Sequence, residues 1–223
     1  MNKKTKKKIQ ISEAATERYL VNERFTIKSL ADELKMDSSE IYDLFPNRRS
    51  ILEFYYESVI IRYQTLTAAI EGYNNFTMAE KLSNLALTVL DMFQERREFV
   101  SKTYNSMIAC SNRSTHFEKN FKKQLFYIYE QDKKQSTSAS VFNGELTNRF
   151  IVLHFHGLIN FWLRDSSEGY QKTMELVDKW TALVQEINYS SVIDRGFDLA
   201  KFAFYNSPLN CFFDFNNKKG AHT

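Results

Sequence analysis

Between residues 28 and 49 the chain gathers side chains suited to one kind of chemistry, the non-covalent recognition of a polyanion. Ser38 and Ser39 are short donors and acceptors, Tyr42 follows one helical turn later, and Lys28, Arg48 and Arg49 flank them. Short hydroxyls allow close approach to base edges, while a guanidinium grips phosphate. A helix starting at Ser38 would add free N–H groups and partial positive charge at its tip. Glu40 and Asp43 repel phosphate, but a carboxylate accepts from cytosine N4, so both count as candidate base readers. Each residue also has a plain structural reading: the serines as first-turn helix residues, Tyr42 as a packer, Arg48 as a solvated charge.

Other chemistries find no support. The sequence holds no nucleophile elbow, no glycine-rich phosphate loop and no HExxH pair. No catalytic residue, metal ligand or cofactor is therefore assigned, and the chain reads as a non-enzyme. Cys110 and Cys211 are the only cysteines, without zinc-ligand spacing, which fits a reducing cytoplasm. The most apolar run, residues 150–163, is interrupted by His154, His156 and Asn160 and is too short to span a bilayer. His154 and His156 are two apart, hence on opposite faces of a helix and not a chelating pair.

The elements that must hold the polar set are helices. Six glycines and two prolines in 223 residues leave few tight turns, and 43% hydrophobic with 26% charged residues marks a folded, all-α chain. Thr26 offers an N-cap to a helix with Ile27, Leu30, Ala31 and Leu34 on one face. Asp37 caps a short second helix, which Pro46-Asn47 ends. Two helices joined by so short a turn form a helix-turn-helix if their inner faces interlock. Ala31 is the small residue at the crossing, and Leu30, Leu34, Met36, Ile41 and Leu44 plug the gap. Lys35 sits where the turn favours glycine, at a cost of about 1 kcal/mol.

Residues 26–52, TIKSLADELKMDSSEIYDLFPNRRSIL, resemble the DNA-binding domain of the tetracycline-repressor (TetR) family of bacterial regulators. The family pattern of Tyr, two variable residues, Phe, a short turn and a basic residue matches Tyr42, Phe45 and Arg48. Lys35, Glu40 and Leu44 depart from it. The resemblance implies a homodimeric DNA-binding regulator, expected to be a ligand-responsive repressor on a palindromic operator. It also implies an N-terminal arm, for which Lys3, Lys4, Lys6, Lys7 and Lys8 are available. Residues 1–50 hold eleven basic against eight acidic residues, and the remainder nineteen of each, so the excess charge lies at that end.

The expected organisation is a DNA-binding domain over 1–50 with its basic arm, an effector-binding and dimerisation domain over 51–206, and a tail over 207–223. The first helix is read from Ile9 to Val21 and the fourth from Arg48 to Ile70. Later helices are read over 77–95, 97–110, 115–134, 145–164, 170–187 and 192–205. The 145–164 helix is apolar on nearly all sides, so it needs cover on both faces, and a second subunit supplies that economically. A small hydrophobic effector is expected in an aromatic-rich body, with Tyr104, His154 and Asn160 as candidate polar contacts. The alternative is a helical-bundle carrier of lipid or small molecules, or an enzyme, whose helix-turn-helix is vestigial.

Overall fold

A computed structural model describes residues 1–131 and 145–189, with the side chains of 145–148 and 187–189 left out. Every regular element among the described residues is helical. The order is α1 (Lys3–Val21), α2 (Ile27–Leu34), α3 (Ser38–Tyr42), α4 (Arg48–Thr67), α5 (Met78–Gln94), α6 (Arg97–Tyr104), α7 (His116–Glu130), α8 (Glu145–Arg164) and α9 (Gln171–Tyr189). The helix read over 192–205, the tail over 207–223 and the polar loop after α7 lie outside the described residues.

Side-chain caps place most helix starts. Thr26, Asn47, Thr77 and Thr115 each accept from the backbone three residues on, and the third residue closes a capping box. Asp37 caps α3 through the Ser39 N–H at 2.8 Å. The first helix begins at Lys3 rather than Ile9, because the Asn2 side chain accepts from Thr5 N and captures the lysine run into helix. The stretch over 97–110 is not one α-helix: α6 ends at Tyr104 and a π turn covers Asn105–Ala109.

The three head helices interlock as the spacing requires. Leu30, Ala31 and Ile41 are buried, with Leu34, Met36 and Leu44 half-buried against the same core. Lys35 adopts φ 53° and ψ 46°, the left-handed conformation that lets α3 turn away from α2.

The fourth helix is the spine of the molecule. Its first turns belong to the head: the Ser12 hydroxyl donates to Ile51 O at 3.0 Å, and Phe54 meets Phe45 edge-on. Its middle belongs to the body, where Tyr55 and Tyr56 pack among Phe93, Phe99, Tyr104 and Phe117. Their hydroxyls are satisfied inside, Tyr55 on Met92 O and Tyr56 with Thr103. A single continuous helix therefore joins the two regions, passing the expected 50/51 boundary without a break.

Candidate nucleic-acid interface

Packing the plug residues inward forces their neighbours outward. Lys28, Ser39, Glu40, Tyr42, Asp43 and Arg49 are exposed, and Ser38 is half-buried. Tyr42 keeps 57% of its surface, although it is a large ring one residue after the buried Ile41. An aromatic left in water on a helix whose other face is packed is a side chain available to a partner. The tip carries a fixed carboxylate as well: Asp37 is held in its charged form, its pKa lowered first by the Ser39 N–H bond.

Arg48 differs from the other predicted DNA contacts. Its guanidinium donates to Phe25 O at 3.3 Å and lies over the Phe25 ring at 5.5 Å. It thus ties the start of α4 to the α1–α2 connection, and only part of its donor set faces outward. Arg49 is exposed and donates to Glu53 at 2.6 Å, one turn along the same helix.

The lysine run divides by helical phase. Lys7 forms an ion pair with Glu40, on the recognition helix itself. Glu40 is held ionised below the usual carboxylate range, chiefly by that hydrogen bond. Lys8 lies over the Phe45 and Phe54 rings at 4.8 and 4.1 Å, and partial burial lowers its pKa. Lys3, Lys4 and Lys6 stay exposed. The repulsion expected from Glu40 is therefore neutralised within the protein. Sequence reasoning missed this pairing, because its partners stand 33 residues apart with no local pattern linking them.

The three effector candidates are not brought together. Tyr104 is fully buried, and its hydroxyl meets His156 Nδ1 at 2.6 Å. The other ring nitrogen, Nε2, lies 3.1 Å from Glu118 Oε1. A carboxylate only accepts, so Nε2 carries the proton and Nδ1 accepts from Tyr104. Burial lowers the His156 pKa against the opposing pull of Glu118. His154 points the other way, exposed, bonded to Phe150 O at 2.8 Å. Asn160 is half-buried, donates to His156 O, and lines a separate cleft beside Phe161 and Lys172. The spacing argument that put the two histidines on opposite faces holds. It also carried the clue that one of them is internal.

Three other clefts open among the described residues. One of about 820 Å³ opens beside the end of α4 and α7, where Gln64 donates to Gln124 at 3.2 Å, and is also lined by Asn74, Asn75, Tyr73 and Tyr127 among others. A second, of about 450 Å³ between α8 and α9, is apolar, with Leu153, Leu158, Leu176 and Trp180 in its walls. The third lies where the start of α4 meets the α6–α7 connection. Among the described residues no cluster has the makings of a metal site, and no helix is long and apolar enough to cross a membrane.

Comparison with known proteins agrees with this architecture. Residues 81–203 match the family model described as "Tetracyclin repressor-like, C-terminal domain". The fold is similar to that of the TetR transcriptional regulator from Nitrosomonas europaea ATCC 19718, at a TM-score of 0.58 and 16% identity, covering 78% of this chain and 95% of that one. It is also similar to a candidate transcriptional regulator from Streptomyces coelicolor A3(2), at a TM-score of 0.52 and 13% identity, covering 82% and 96%. At such identities the two structures speak for the fold alone. Among curated proteins no sequence matches. A family match over more than half of the chain, behind a helix-turn-helix head, means that this chain belongs to the tetracycline-repressor-like family of transcriptional regulators.

Proposed function

We propose that the chain is a ligand-responsive repressor that binds a palindromic operator in the cytoplasm as a homodimer. The observation that carries DNA recognition is the polar outer face of α3, with Ser39, Glu40, Tyr42 and Asp43 exposed and the wedge of buried and half-buried apolar side chains behind it. Ser38, Ser39, Glu40, Tyr42 and Asp43 face the major groove in this reading, with Lys28, Arg48 and Arg49 on the backbone. DNA-binding residues 1–50 and the helical body from 51 onward act as two functional units on one rigid α4.

Dimerisation is supported by the α8–α9 surface. Leu153 is 67% exposed, with Phe150, Phe161, Met174 and Leu183 also open to water. The buried Trp180 indole N–H beside the apolar cleft has no acceptor among the described residues. A second copy packed on these two helices covers the apolar stripe in an isologous contact.

The effector reading favours the cleft between α4 and α7. Its mixed lining of amides and tyrosine rings suits a ring-bearing molecule with several polar groups, more polar than the small hydrophobic effector with a few polar contacts expected from composition. A ligand there acts by binding one spacing of the two heads better than the other.

A gel-shift titration with DNA from upstream of the chain's own gene tests this reading, with Tyr42→Phe and Lys28→Gln as variants. Both are exposed, so folding is preserved while binding weakens several-fold. No retardation of any fragment at physiological salt sinks the proposal.

A further inference from the structure

We infer that the connection between α6 and α7 carries a second phosphate-binding surface, so that the body grips the DNA backbone alongside the head. The inference rests on the reading of the head as DNA-binding.

Where the first turns of α4 face residues 106–119 there is a cleft of about 850 Å³. Every residue lining it is polar apart from Cys110. The α4 wall contributes Arg49 and Glu53; the opposite wall contributes Arg113, His116 and Lys119. Glu53 is already occupied by Arg49 at 2.6 Å. The side chains of Arg113, His116 and Lys119 have no hydrogen-bond or ion-pair partner among the described residues. Two full positive charges are left facing open space.

Backbone electrostatics adds to them. Asn47 and Thr115 are the N-caps of α4 and α7, helices of 20 and 15 residues, and both line this cleft. Their partial positive ends therefore converge on it together with the free cations. The position is also continuous with the head, since Arg49 follows Arg48 at the start of α4, where Arg48 donates to Phe25 O of the α1–α2 connection.

The recognised chemistry is a phosphate oxygen, and a DNA diester fits better than a free anion. Arg49, Arg113, His116 and Lys119 are all exposed. Exposed cations hold a small hydrated anion weakly, whereas a duplex adds counterion release at each neutralised phosphate. The same surface belongs to a body helix connection rather than to α1–α3, so it adds affinity without reading sequence.

The test uses the full chain and its Arg113→Gln/Lys119→Gln double variant. Binding to a labelled duplex of arbitrary sequence is followed by fluorescence anisotropy across a salt series. The expected result is weaker binding to every sequence tried and a log–log salt slope flatter by about 0.9 for each phosphate that is no longer neutralised. Thermal unfolding of the variant should match that of the parent chain. An unchanged slope with unchanged affinity overturns the inference while leaving the head's role intact. If the slope is unchanged but calorimetry shows the variant losing affinity for inorganic phosphate, the cleft holds a small anion and the DNA assignment is overturned. Absence of duplex binding by the parent chain overturns both readings together.

Discussion

The head and the α8–α9 face present opposite surfaces to solvent. In the head the apolar side chains of α2 and α3 are spent on one another, and what remains outside is hydroxyl, carboxylate and cation. On α8 and α9 the inward stripe is filled by Phe155, Leu158, Ile159, Trp162, Val177 and Val184, yet Phe150, Leu153, Phe161 and Leu183 remain in water. One region is complete as a single copy and leaves polar groups outside, which the proposed function gives to a polyanion; the other leaves apolar groups outside, which the proposed function gives to a second copy. Exposure alone does not define a site. Its chemistry names the partner.

The largest effect is expected where the comparison is sharpest. Leu153→Asp with Leu183→Asp places unpaired charges in the proposed dimer interface, and burying even one such charge costs several kcal/mol. The dimer dissociation constant should rise more than about a hundredfold in analytical ultracentrifugation. Helical content should persist, because both side chains are already exposed in one copy. A variant that stays dimeric moves the interface elsewhere.

The head should answer to packing instead. Leu30→Ala empties a fully buried plug position. Urea unfolding should show a loss of about 2–5 kcal/mol. The exposed Val21→Ala should change stability by less than about 0.5 kcal/mol. Equal costs at the two sites would mean that the wedge is not what holds α3.

Acid should act on the body through the chain from the buried Tyr104 and His156 to the half-buried Glu118. The folded-state pKa of His156 lies below the unfolded value near 6.5. The unfolded state therefore binds the extra proton first, and the stability present at neutral pH drains away as pH falls from about 6.5 toward the folded value. His156→Gln should remove this component from a melting-temperature profile over that range. A profile identical to the parent's means that the buried histidine does not set the acid response.

The smallest effect is the most specific. Lys7→Gln should weaken DNA binding a few-fold by unmasking Glu40, and Glu40→Gln should restore most of the loss. The pair is exposed, so the coupling should shrink in high salt. A loss in Lys7→Gln that Glu40→Gln does not restore would show that Lys7 touches phosphate directly.

Much of the head is legible in the sequence because its rules are local. Thr26, Asp37 and the plug set act within a few residues of one another, and so does the left-handed turn at Lys35. The family match falls on the body, residues 81–203, while the motif lies at 26–52, so two separate stretches lead to one assignment. What stays hidden is long-range or lacks a breaker. Lys7 with Glu40, and Tyr104 with His156, are fixed by how helices pack, which no periodicity records. The early start of α1 lies in a single capping asparagine, and the π turn after Tyr104 has neither glycine nor proline to announce it. The effector candidates fail to converge for the same reason: aromatic content places a core but not a cavity.

A packed wedge that offers the outer face of α3 to duplex DNA in two symmetric copies is the claim on which the rest depends. Selection from a random duplex library by the full chain tests it most directly. The enriched sequences should have two-fold symmetry, their half-site centres about 34–36 Å apart or a near multiple of one turn. The same selection with Tyr42→Ala should yield much weaker enrichment. A library that emerges unenriched, or enriched for a single asymmetric site that Tyr42→Ala leaves unchanged, contradicts it.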